Sequence, residues 1–317
     1  MGIQAQPKIP VIDFCKEDLK PGTPAWLSAC NEVKHALEEY GCFVALSNNT
    51  VSPELHQKVF QSSEELFDLP REIKAQNTYD KPYHGYVGHP AVPLHEGLGI
   101  DDSTALDAVQ GFTNLMWPAG KHDFCENVHS YSKQVAELDR MVSRMIFESY
   151  GVESYHEAHV ESTIYLLRFL KYRGPEAHES NLAFIPHTDK SFLTILHQND
   201  VNGLEIETRD GNWIGYESPS PPISFVVMAG DALMAWSNGR VHSSSHRVVI
   251  NGKKTRHTLG LFSFNNNIVR IPEEMVDQEH PLQYKHFNHY GLVHFYGSEE
   301  GKKLGHSVIA LKAYCGI

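Results

Sequence analysis

Between Thr163 and Phe264 the chain sets seven short β-rich runs in close succession: TIYLLRFLKY, HTDKSFLTILHQ, GLEIET, NWIGY, ISFVVMAGDALMAW, HRVVI and RHTLGLFSF. Turn-forming pairs stand among them at Asp210-Gly211, Asn238-Gly239 and Asn251-Gly252. The runs are short and follow one another at close spacing. They predict an antiparallel sandwich or jelly roll.

The residues before this block read differently. Thr23 to Tyr40 has helical spacing, with Trp26, Cys30, Val33 and Leu37 on one side and Gly41 as a stop. Pro53 opens a second helix through Val59 and Leu66, and Phe124 to Tyr150 forms a long amphipathic helix that ends at Gly151. IPVIDF and CFVALSN read as isolated strands. Tyr79 to Asp102, rich in Gly, Pro and His, reads as a loop and a candidate lid. After Ile268 the chain is irregular, then helical near YKHFNHYGLVHFYG. The expected class is mixed α and β. A largely helical N-terminal region spans 1–155, a jelly-roll core 156–267 and a C-terminal tail with a packing helix 268–317. A chain of 317 residues, 41% hydrophobic, can bury a core of that size.

Charge and cysteine usage narrow the partners. The formal net charge is −12 and no Lys/Arg run is present, which argues against nucleic acid and anionic membrane surfaces. Five scattered cysteines with no C-x-x-C spacing point to reduced thiols. MGIQAQPKIP lacks an apolar signal region, and Gln6 breaks the pattern that would make Gly2 a myristoylation site. A cytoplasmic monomer is expected.

The chemistry is concentrated at FIPHTDKSF, residues 184–192. On a strand His187 and Asp189 would share one face. Two histidines and one carboxylate on one face of an octahedron leave positions open for substrate and O₂. The third ligand would come from SNGRVHSSSHRVVI, which offers His242 or His246. His35, His56, His129, His156 and His159 fall in helical segments and read as surface positions. Arg256 and Thr258 again share a strand face, where a guanidinium and a hydroxyl could hold a carboxylate. Phe112, Leu115, Met116 and Trp117 form an apolar cluster that is either core or a substrate lining. Tyr83, His84, Tyr86 and Phe264 are candidates for a pocket mouth.

Taken together, IPVIDF, LEEYGCFVALSN, ELFDLPREIK, HTDKSFLTIL, GLEIETRDGNWI, GDALMAWSNGRVHSSSHRVVIN and RHTLGLFSF resemble the plant iron(II)/2-oxoglutarate-dependent dioxygenases. LKPGTPAWLSACNEVKHALEEYGCF, FTNLMWP and LKAYCGI are closest to the AOP-like subgroup, with its deoxypodophyllotoxin-synthase-like and limonoid-oxidising members. The resemblance implies a double-stranded β-helix. It implies iron(II) on His187, Asp189 and His246, and 2-oxoglutarate on Arg256, Thr258 and Tyr172. His246 is taken over His242 because it precedes Arg247-Val248 and stands ten residues before Arg256. Where the wider family often carries Asn, this chain has Leu170.

The implied reaction is O₂-dependent oxidation of a bulky, apolar plant specialised metabolite, such as a lignan or a terpenoid or limonoid. The outcome is hydroxylation, desaturation or ring closure, with ascorbate as an activator. An ascorbate-dependent iron oxidase and an inactive binding protein on the same fold are the alternatives. Asp189 argues against a halogenase. If the strands of His246 and Arg256 formed a hairpin at Asn251-Gly252, a two-residue turn would set them on opposite faces. A bulged or odd-length connection is therefore expected there.

Overall fold

Thr23 starts the first helix by accepting the Trp26 N–H on its side chain, with Pro24 at the first helical position. The resulting α1 (Pro24–Glu39) buries Trp26, Ala29, Cys30, Val33, Ala36 and Leu37. Gly41 ends it at φ +68°, and a Cβ there would meet the His242 carbonyl at 2.4 Å. Ser52 caps α2 (Pro53–Phe67) in the same way. Then follow α3 (Arg71–Lys74), α4 (Leu106–Met116), the long α5 (His122–Ser149) and α6 (His156–Ser162). The stripe Val128, Val135, Val142 and Ile146 of α5 is buried in the main core, which it shares with α1 and α4. This computed structural model describes residues 8–89, 92–218, 223–305 and 308–317. The Gly2 and Gln6 reading lies outside them. No helix among the described residues is long and apolar enough to cross a membrane.

The strands are β1 (Val11–Asp13), β2 (Cys42–Leu46), β3 (His95–Ile100), β4 (Thr163–Tyr172), β5 (Leu182–His187), β6 (Leu193–Gln198), β7 (Leu204–Glu207), β8 (Trp213–Gly215), β9 (Ser224–Ala229), β10 (His246–Val249) and β11 (Arg256–Asn265). One sheet runs β1-β2-β9-β6-β11-β4-β3 and a second runs β5-β10-β7-β8. Together they form a jelly roll with helices against the larger sheet. β4 and β11 pair over their full length, from Arg256 opposite Tyr172 to Asn265 opposite Thr163. Along β4 the odd positions Tyr165, Leu167 and Phe169 join the helical core. The even positions Leu166, Arg168, Leu170 and Tyr172 line a cavity between the sheets. Burial on both faces explains why TIYLLRFLKY reads as nearly continuous apolar sequence rather than as alternation.

The structure corrects four expectations. GDALMAW is not strand: residues Asp231–Trp236 form the helix α7. Ala232, Leu233, Ala235 and Trp236 are all buried there, so no one-sided periodicity marks the turn of helix. Part of the expected lid is strand, since β3 supplies the edge of the larger sheet. The two strands around Asn251-Gly252 do not form a hairpin at all. β10 pairs with β5 and β7, β11 with β4 and β6, and residues 250–255 cross between sheets. His159 is buried against Phe147 and Phe192, and His56 bonds His197 at 3.0 Å, so neither is a free surface position.

These buried imidazoles set a pH dependence. Burial drives the pKa of His95, His159 and His197 down to about 3. Below pH ~6.5 the unfolded chain takes up protons that the folded chain refuses. Their stabilising effect is therefore complete above that pH and is lost as pH falls, by about 1.4 kcal/mol per unit for each imidazole. Asp139 works in the opposite sense, because burial raises its carboxyl to about 7, but it is outnumbered. Calorimetry should show the melting temperature falling steadily between pH ~6.5 and ~4.5. A flat profile would mean that these rings are solvated.

Candidate metal and co-substrate site

His187 is the last residue of β5, and Asp189 lies just beyond the strand's end. The two do not converge by strand alternation, as the sequence spacing predicted. A polar cluster behind the loop turns Asp189 inward. The Asp231 N–H donates to the Asp189 carbonyl at 2.8 Å. The buried Asp231 carboxylate accepts from Thr188 (3.1 Å), Lys190 (2.7 Å), Ser243 (2.7 Å) and Tyr296 (2.6 Å). The residues on both sides of Asp189 are thus clamped to α7. His246 opens β10, directly opposite His187 in the register.

The outcome is a tight cluster. One ligand atom from each of His187, Asp189 and His246 lies within 4.8 Å of the others. Asp189 Oδ1 stands 3.8 Å from His187 Nε2 and 3.7 Å from His246 Nε2. His187 Nδ1 meets the Ile185 carbonyl at 2.9 Å, which directs Nε2 toward the cluster. Asp189 Oδ2 is buried without a hydrogen-bond partner. Two imidazoles and a carboxylate with an unsatisfied oxygen suit a divalent metal such as iron(II). His242 is not in this group; its backbone N–H bonds the Leu37 carbonyl behind α1.

A cavity of about 430 Å³ opens from the cluster. Arg256 is 1% exposed at its wall and has Tyr172 as its cross-strand partner. Its guanidinium lies 5.3 Å from the centre of the Tyr172 ring. Gln198 Oε1 accepts from its Nη2 at 2.9 Å and orients the fork. Burial lowers the Arg256 pKa and raises that of Tyr172, and no carboxylate pairs with Arg256 among the described residues. Thr258 Oγ1, two residues along the same face, is buried and unpaired. A buried guanidinium and an unsatisfied hydroxyl, side by side, fit the far carboxylate of 2-oxoglutarate. His246 and Arg256 reach one cavity from opposite sheets, so no hairpin register had to bring them together.

The other expected pocket residues divide. Tyr83, His84 and Phe264 line the cavity, with Tyr83 at φ +67°. Phe112, Met116 and Trp117 do not. They lie on or just after α4 in the main core, where Phe112 and Trp117 pack against Phe124 of α5, behind the cavity face of β4. Tyr86 bonds Glu96 at 2.7 Å outside the cavity. Sequence reasoning missed Gln198, which carries no motif, and Arg168. A lone charge in the middle of TIYLLRFLKY was a usable signal for Arg168.

If the Asp231 cluster positions the ligand loop, Asp231→Asn should weaken metal binding by roughly 10–100-fold, the usual effect of losing an outer partner of a metal site. Metal titration would show it. Unchanged affinity in a folded variant would confine Asp231 to packing.

The fold and the site define a class: a jelly-roll protein with a His-Asp-His centre beside a buried carboxylate-binding pocket. Residues 163–265 match the 2OG-Fe(II) oxygenase superfamily, and residues 9–139 match the region described as "non-haem dioxygenase in morphine synthesis N-terminal". The chain is 44% identical over 315 residues to the Arabidopsis thaliana "Probable 2-oxoglutarate-dependent dioxygenase AOP1.2", covering 97% of this chain and 96% of that one. It is 31% identical to the Arabidopsis "2-oxoglutarate-dependent dioxygenase AOP3", over 98% of each. Among solved structures, the rice dioxygenase for auxin oxidation superposes with a TM-score of 0.81 at 27% identity, over 97% of this chain and 100% of that chain. The Arabidopsis thaliana dioxygenase for auxin oxidation 1, in its 2-oxoglutarate complex, superposes at 0.77 with 29% identity, over 86% and 100%.

The chain belongs to the 2-oxoglutarate- and iron(II)-dependent oxygenases and falls with the AOP-named plant enzymes. Its cofactors are iron(II) and 2-oxoglutarate, and O₂ and a small molecule are its other reactants.

Proposed function

We propose that the protein oxidises an unactivated C–H bond of a mainly apolar plant specialised metabolite, with lignan-like or terpenoid-like bulk, by hydroxylation, desaturation or ring closure. The observation that carries this is the cavity. It joins the His187, Asp189 and His246 cluster to walls of Leu166, Phe184, Leu204, Val248, Phe262 and Val293. Its volume of about 430 Å³ lies in the lower half of the range for small-molecule sites, and oxoglutarate must share it.

In this reading His187, Asp189 and His246 hold iron(II). Arg256, Thr258 and Tyr172 hold the far carboxylate of oxoglutarate. With O₂, that pair supplies the oxidising power as oxoglutarate is converted to succinate and CO₂. The chain's own part is placement and exclusion. Gln198 fixes the guanidinium fork, and Leu170, at the position where Asn is common in relatives, adds apolar wall instead of a donor. Tyr83 and Phe264 line the cavity, and its apolar walls keep water from the reacting carbon. The protein acts as a monomer, and ascorbate keeps the iron reduced.

The test is mass spectrometry of a plant metabolite extract incubated with enzyme, iron(II), oxoglutarate and ascorbate. Consumption of one metabolite with matching succinate is expected. Consumption without succinate would favour an oxidase that uses ascorbate. No consumption and no succinate would favour a binding protein; the 30%-identical Arabidopsis AOP2 is itself named "probable inactive".

A further inference from the structure

The cavity contains two buried arginines, and oxoglutarate uses only one. Arg168 is 8% exposed and shares the inward face of β4 with Tyr172, four residues later. It stands opposite Gly260, whereas Arg256 stands opposite Tyr172. Four residues of strand separate the two backbones by about 13 Å. Leu166, Phe262, Phe264 and Val293 line the same cavity.

No acidic side chain among the described residues pairs with this charge. Nη2 donates to the Gly85 carbonyl at 3.3 Å. The acidic groups of the neighbouring β3 segment are engaged elsewhere, Glu96 by Lys74 at 2.7 Å and Asp101 by Lys81 at 2.6 Å. His84 and His95 line the same cavity; burial lowers both pKa values, which disfavours a further positive charge there, and an imidazole offers no negative one. Burial lowers the pKa of Arg168 itself to about 10, which leaves it charged at neutral pH. The guanidinium itself fills the place of a side chain at Gly97, where a Cβ would fall 2.9 Å from Arg168 Nη2. A buried cation facing an apolar cavity without an anion is costly unless a ligand brings one.

We propose that Arg168 anchors a carboxylate on the prime substrate, so that the enzyme oxidises a medium-sized apolar carboxylic acid. This rests on the oxygenase reading of the same cavity. A planar carboxylate matches the guanidinium fork. A phosphate ester would call for more donors than one arginine between neutral imidazoles supplies. Oxoglutarate does not need Arg168, because its two ends are met by the metal cluster and by Arg256 with Thr258.

The test uses the full chain, loaded anaerobically with iron(II) and saturating oxoglutarate. Phenylacetic, cinnamic, phenylbutyric and naphthylacetic acids are titrated by calorimetry, each beside its primary amide. At least one acid should bind roughly tenfold or more tightly than its amide. Arg168→Gln should abolish that preference and Arg168→Lys should retain part of it, while the visible absorbance of the iron–oxoglutarate complex persists in both. Absence of any acid preference in the unmodified protein overturns the proposal. So does a preference that survives Arg168→Gln, or an Arg168→Gln variant that loses oxoglutarate instead. Acid preference without the absorbance band would refute the oxoglutarate assignment and leave the Arg168 site standing.

Discussion

Asp189→Ala is expected to abolish turnover and to weaken iron(II) binding by more than the roughly 100-fold that loss of an outer partner can cost. The residue supplies the only carboxylate of the cluster, and its Oδ1 stands within 3.8 Å of both imidazole Nε2 atoms. Stability should move the other way. Asp189 Oδ2 is buried without a partner, so the metal-free protein carries an unsatisfied polar atom there. The metal-free variant should melt at or above the temperature of the metal-free parent. Metal titration and calorimetry on the same samples test both halves. Full iron occupancy in Asp189→Ala would dismiss the triad, and a large drop in melting temperature would make Asp189 structural. His242→Ala is the control and should leave iron affinity unchanged. Equal losses at His242 and His246 would mean that the wrong histidine was assigned.

Arg256→Ala should raise the oxoglutarate requirement by roughly two to three and a half orders of magnitude. Removing one side of a buried, charge-assisted bidentate pair costs roughly 3–5 kcal/mol. Arg256 meets the conditions for that range, being 1% exposed and oriented by Gln198. Thr258→Val should act in the same direction but less strongly, because it removes a single hydroxyl whose buried oxygen has no partner inside the chain. The dependence of succinate formation on oxoglutarate measures both. An unchanged dependence in Arg256→Ala would remove this arginine from the co-substrate site. Iron affinity serves as the internal control and should be preserved in both variants, since neither side chain belongs to the metal cluster.

Much of the site was readable from the sequence, for a local reason. Arg256 and Thr258 share a strand face by a period of two, so their convergence is encoded in adjacent residues. His187 and Asp189 were identified by the right spacing under the wrong geometry. Their meeting depends on the end of β5 and on Asp231, 42 residues after Asp189, which clamps the loop from behind. The hairpin reasoning at Asn251-Gly252 failed more completely. It supposed that two neighbouring strands pair with each other, but a jelly roll sends them to opposite sheets.

The sequence by itself determined the helical spacing of α1, α2 and α5, the helix caps at Thr23 and Ser52, the ten-residue span of β4 and the residue types of the metal site. All of these are properties of neighbours along the chain: period, capping and composition. Whether Phe112, Met116 and Trp117 see substrate or core, and which charges surround Arg168, were decided only by tertiary structure. Each depends on partners brought together from distant segments, as β4 and β11 bring Tyr172 to Arg256 and as α4 turns Phe112 toward Phe124. A buried face looks the same in sequence whether it covers a core or a cavity, because both exclude water. Only the packing of the opposite layer tells them apart.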